Sequence, residues 1–139
     1  MHKSRPLLLV EDDQIDARTV RRALEELGIS DSMVHLTSGE AAMDYLRSAV
    51  NKTPCLILLD LSMPRMNGIE FLREIKGDLA LRRIPVVVLT TSTEDRDVLG
   101  TFEHGVAGYM VKPFNYQKFV LTLRAITEYW SLSVLPAEV

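Results

Sequence analysis

Apolar positions along the chain fall into two alternating periods, short aliphatic runs and stretches in which they recur every three or four residues. "PLLLV" (6–10) is a run stopped by three acids and reads as a buried strand. From Gln14 the period changes: Ala17, Val20, Leu24 and Leu27 take helical spacing, and Gly28 closes the helix. "SMVHLT" (32–37) alternates weakly as a second strand, and "SGEAAMDYLRSAV" (38–50) is helical until "VNKTP" breaks it. "CLILLD" (55–60) is a third strand, and "GIEFLREIKG" (68–77) a helix with Ile69, Leu72 and Ile75 on one face. "PVVVLTT" (85–91) enters through a proline, tolerated where a strand needs no ladder donor. "EDRDVLGTFEHG" (94–105) is a helix weakened by Gly100, "GYMVKP" (108–113) a fifth strand, and a long helix runs from about Tyr116 to Trp130.

Five strand–helix units with fully apolar strands predict an α/β fold, a doubly wound parallel sheet covered by helices on both faces. In such open sheets the working site lies beyond the carboxyl ends of the strands. That rule gathers Glu11, Asp12 and Asp13 after the first strand and Asp60 after the third. It adds Thr90, Thr91 and Ser92 from the fourth strand, and Lys112 and Pro113 from the fifth.

Composition narrows the function classes. A length of 139 residues suits one domain, taken here as 1–139 with no separate output module. The net charge of −3 argues against nucleic acid as the main partner, because phosphate-backbone binders carry a basic stripe. No apolar run is long enough to span a membrane, and "MHKSRPLLLVEDD" holds too short a one for a signal peptide, so the expected location is the cytoplasm. Cys55 is the single cysteine and reads as a buried structural thiol.

The gathered residues define a chemistry. Carboxylates packed closely repel one another unless a cation sits among them. Oxygen donors without His or Cys select a hard ion, and Mg²⁺ with retained waters fits best. Asp60 can then act as a nucleophile toward phosphorus, with Lys112 holding phosphoryl oxygens by charge and Thr90 by hydrogen bond. Each part has an ordinary alternative: an acidic loop with Asp13 as helix N-cap, a strand-end aspartate, a hydroxyl cap, a turn at "KP". Their joint occurrence at strand ends, in this order, favours phosphoryl transfer onto Asp60. His35 and His104 lack a ligand partner at metal spacing and read as structural or solvated.

Through "LLLVEDD", "LILLDLSMPRMNG" (56–68), "VVVLTTS" and "GYMVKP" the chain resembles the receiver domain of two-component response regulators. The resemblance implies a flavodoxin-like receiver fold and a signalling protein, not an enzyme acting on other molecules. It implies Asp60 as phosphoacceptor, Thr90 as switch hydroxyl, Tyr109 as switch aromatic and Lys112 as phosphate-binding lysine. Mg²⁺ would be held by Glu11, Asp12, Asp60 and the backbone carbonyl of Ser62. A cis peptide at Lys112–Pro113 and a sensor histidine kinase as partner are implied as well. "TTS" and the close "ITEYWSLSVLP" (126–136) are similar to stand-alone regulators paired with bacterial phytochrome kinases.

Two readings of other classes stay open: an aspartyl-nucleophile phosphatase, although Ser62 stands where that class has an acid, and an unphosphorylated receiver-fold scaffold. Thr91 departs from the small residue usual after the switch hydroxyl. A homodimer is expected on the fifth helix and tail. Phe119, Leu123 and Ile126 are assigned to the core, whereas Tyr129 and Trp130, with Leu132, Val134 and Leu135, extend an apolar surface.

Overall fold

The computed structural model describes residues 5–63 and 65–135. The strands are β1 (Leu7–Val10), β2 (Met33–Leu36), β3 (Leu56–Leu59), β4 (Val86–Thr90) and β5 (Gly108–Val111). The helices are α1 (Gln14–Glu26), α2 (Gly39–Arg47), α3 (Gly68–Lys76), α4 (Asp95–Glu103) and α5 (Tyr116–Leu132). The strands form one parallel sheet in the order β2-β1-β3-β4-β5. This is the flavodoxin-like strand order that the resemblance implies.

Strand alternation divides the core into two layers. Leu7 and Leu9 face α1 and α5, where they meet Ala17, Val20, Leu24, Phe119, Leu123 and Ile126. Leu8 and Val10 face α2 and α3, against Met43, Phe71, Leu72 and Ile75. The inner strands β1, β3 and β4 are buried along their whole length, as their unbroken aliphatic runs predict, whereas edge strand β5 is only half-buried. α1 ends as its sequence predicts, with Gly28 at φ 76° in the left-handed region.

Three expectations change. The Lys112–Pro113 peptide is not cis: the described residues contain no cis bond. Trans is the form an X–Pro bond favours by about 0.5–1 kcal/mol. Leu135 does not extend the surface patch; it is 1% exposed and joins the α1/α5 core layer. Trp130 is likewise not left uncovered by the sheet. It packs half-buried against the same layer, with the Tyr129 ring edge-on at 4.9 Å. Burying these two large apolar groups at the end of α5 releases more free energy than leaving them wet.

The turn between β3 and α3 brings backbone against backbone. A Cβ on Gly68 would lie 2.6 Å from Leu61 Cα and 2.7 Å from the Asp60 carbonyl oxygen. Asn67 caps α3 here in a reciprocal capping box with Glu70. Gly68→Ala is therefore expected to lose about 2 kcal/mol or more in denaturant unfolding. Gly100→Ala, inside α4 with its nearest contact at 3.7 Å, should gain up to about 1 kcal/mol. Equal effects of the two would contradict the close approach.

Candidate functional site

Parallel register fixes which residues meet at the strands' carboxyl ends. Val10 pairs with Leu36 on one side and Leu59 on the other, so Glu11 and Asp60 leave the sheet side by side. The ladder continues one step further through Glu11 N–H to the Leu36 carbonyl and Asp60 N–H to the Val10 carbonyl, both 3.1 Å. Thr90 ends β4, between β3 and β5, and Lys112 follows β5 with its N–H donating to the Thr90 carbonyl at 2.8 Å. Four strands thus deliver the gathered side chains to one place.

The acids are close and dry. Glu11, Asp12 and Asp60 each offer a carboxylate oxygen within 4.8 Å of the others. Glu11 is 1% exposed and Asp60 6%, and Asp12 is half-buried. Such a set demands positive charge, and Lys112 supplies it. Its ammonium donates to Glu11 Oε1 at 2.6 Å and to Asp16 Oδ2 at 3.1 Å, and stands 3.9 Å from Asp60 Oδ1.

Opposing effects act on Glu11. Burial pushes its carboxyl up, the Lys112 hydrogen bond pulls it down, and the charge of Asp60 pushes it up again. The result is a pKa raised to about 7. For Lys112, burial lowers the pKa, but the hydrogen bond to Glu11 and the charges of Asp60 and Glu11 outweigh it and leave it raised. The lysine is therefore the fixed charge of the pair, and Glu11 the adjustable one.

The hydroxyl and aromatic belong to a neighbouring set of bonds. Thr90 is fully buried, and its hydroxyl accepts the Ser92 N–H at 3.4 Å. Tyr109 donates its hydroxyl to the Ser92 carbonyl at 3.0 Å, and Ser92 Oγ donates to Asp97 of α4 at 2.6 Å. Ser62 is exposed in the loop after Asp60, where Arg65 takes a left-handed φ of 60°. Tyr129 and Trp130 lie on α5, away from this cluster.

The sequence missed Asp16 and the partner of His35, whose structural reading holds. His35 Nε2 lies 2.7 Å from the Glu11 carbonyl oxygen, which can only accept, so the ring nitrogen carries the proton and pins the acid's backbone. The pairing of β1 with β2 was the available signal. Asp16, on the first turn of α1, reaches Lys112; its position one turn beyond the acidic run was the clue.

The residues match the family described as the response regulator receiver domain over 7–124. The chain belongs to that family. It is 42% identical over 127 residues to the probable methanogenesis regulatory protein FilR2 of Methanothrix harundinacea, spanning 89% of this chain and 82% of that protein. It is 40% identical over 136 residues to response regulator Rcp1 of Synechocystis sp., spanning 94% of this chain and 92% of that one. Among solved structures, the phosphorylated cyanobacterial phytochrome response regulator RcpA superposes with a TM-score of 0.87 at 37% identity, over 95% of this chain and 98% of that one. The Mn²⁺-bound form of Rcp1 gives 0.84 at 37% identity, over 95% and 99%.

The oxygen-only donors of Glu11, Asp12 and Asp60 could hold a divalent cation. Among the described residues no helix is long and apolar enough to cross a membrane.

A raised Glu11 pKa sets a sign for stability against pH. In EDTA, the contribution of Glu11 is fully present below about pH 4.5 and is lost as pH rises through about 7. The change is on the order of 3 kcal/mol across that window. Denaturant midpoints from pH 4.5 to 8 should therefore show the wild type losing ground to Glu11→Gln as pH rises; a constant difference would contradict the buried-acid account.

Proposed function

We propose that this receiver accepts a phosphoryl group on Asp60 from a sensor histidine kinase, with Mg²⁺, and signals through protein contacts. One observation carries the reading: Asp60 is buried within a three-carboxylate cluster, with a lysine ammonium 3.9 Å from its oxygen. A carboxylate Oδ of Asp60 attacks phosphorus, the new O–P bond forms, and the N–P bond to the kinase histidine breaks. The departing imidazole nitrogen keeps the electron pair and takes a proton from solvent.

Glu11, Asp12, Asp60 and the Ser62 carbonyl would hold the ion, which when bound offsets the charge shared by the carboxylates and the phosphoryl group. Lys112 then trades Glu11 for phosphoryl oxygens, and the Thr90 hydroxyl donates to another. Movement of Thr90 acts on Ser92, whose carbonyl holds Tyr109 and whose hydroxyl holds α4. The outcome is a population shift between two packings of α4 and β5. This is self-modification and not turnover of an external substrate, and it belongs in the cytoplasm, where kinases have ATP.

Likeness to the phytochrome response regulator RcpA supports a phytochrome histidine kinase as donor, and near-complete coverage of RcpA and Rcp1 supports reading residues 1–139 as one receiver domain. We extend the reading to a homodimer on α5. Tyr129 is 66% exposed and, with half-buried Trp130, borders a shallow apolar cavity of about 370 Å³ against β5.

Acetyl phosphate with Mg²⁺ should add one hydroxylamine-labile phosphoryl group, seen as a mass shift. Asp60→Asn should abolish it and EDTA suppress it, and undiminished labelling of Asp60→Asn would sink the assignment. Sedimentation tests the dimer: Tyr129→Ala and Trp130→Ala should each weaken association by about 2 kcal/mol. A wild type monomeric at high micromolar concentration, phosphorylated or not, would refute that extension.

A further inference from the structure

We propose that Asp16 is a positioning residue, a latch that draws Lys112 away from the phosphoacceptor in the unmodified protein; this rests on the reading of Asp60 as that acceptor. The ammonium of Lys112 is within hydrogen-bond reach of Glu11 and Asp16, at 2.6 and 3.1 Å, but not of Asp60, at 3.9 Å. Its side chain is 9% exposed, so the choice among these acids is made largely out of water. The nearest bonds pull it toward β1 and α1, and away from β3.

An acid in a helix's first turn has an ordinary role, to meet the free amides and the positive end of the helix dipole. On α1 Asp13 already fills it: its Oδ1 accepts the N–H of Ile15 at 2.8 Å and that of Asp16 at 3.0 Å. The Asp16 carboxylate is left to face the lysine.

Its exposure then decides what kind of contact this is. The Asp16 side chain is 45% exposed, against 1% for Glu11 and 8% for Asp60. Water can replace the lysine at Asp16 at little cost, so the bond opens readily. It biases Lys112 without locking it, and when Lys112 leaves for a phosphoryl group Asp16 remains solvated. Asp16 therefore sets how much of the time Lys112 is available at Asp60, and with it how strongly a phosphoryl group, or its mimic, is held.

The test is a double-mutant cycle read by beryllium fluoride binding in excess Mg²⁺, followed through NMR shifts of Thr90 and Tyr109 amides. Asp16→Asn keeps the shape and removes the charge. It should lower the half-saturating beryllium fluoride concentration about two- to fivefold, the range of a partly exposed ion pair. Asp16→Glu should stay near the wild-type value. In a Lys112→Ala background, Asp16→Asn should change nothing, because the latch has no lysine to hold. An unchanged half-saturation in Asp16→Asn, or an equal drop in the Lys112→Ala background, would overturn the latch while leaving Asp60 as acceptor. A folded wild type that binds no beryllium fluoride would overturn the acceptor reading, and the latch with it.

Discussion

Repulsion among Glu11, Asp12 and Asp60 is the constraint on which this site is built. Three carboxylate oxygens within 4.8 Å, two of their residues almost fully buried, cannot all stay ionised without a counter-charge. Lys112 is that charge in the unmodified molecule, and the fold commits much to it. The sheet order sets β5 two strands from β3, and the backbone bond from Lys112 to Thr90 aims the side chain back across the strand ends. Burial, more than the charge of Asp60, holds the Glu11 pKa up against the Lys112 hydrogen bond. The three carboxylates beside that lysine could together hold a divalent ion.

The same economy links chemistry to surface. Ser92 receives Tyr109 on its carbonyl and gives its hydroxyl to Asp97, so one residue after β4 ties the edge strand to α4. Thr90, two residues earlier, has its hydroxyl bonded to the Ser92 amide. A short hydrogen-bond chain thus links Thr90 to both Tyr109 and Asp97. β5 is the half-buried edge of the sheet, where repacking disturbs the least core.

Much of this was legible in the sequence, for identifiable reasons. Unbroken aliphatic strands alternating with helical spacing leave few topologies open, and the carboxyl-end rule then brings Glu11, Asp60, Thr90 and Lys112 together. What escaped depends on three-dimensional competition. Asp16 drew no reading from the sequence because its partner lies 96 residues away. His35 offered no ligand spacing, since its partner is a backbone carbonyl across the sheet. Leu135 and Trp130 read as surface because periodicity cannot say where the core ends, and Leu135 folds back into the α1/α5 layer. The trans Lys112–Pro113 bond corrects an expectation carried by resemblance alone.

We propose that Lys112 is an internal counter-ion which is exchanged when phosphoryl chemistry begins. A crystal structure of the protein with Mg²⁺ and beryllium fluoride tests it most directly. The Lys112 ammonium should then have left Glu11, now 2.6 Å away, and donate to a fluoride on Asp60 at ordinary hydrogen-bond distance. An occupied Asp60 with Lys112 still bound to Glu11 would contradict it.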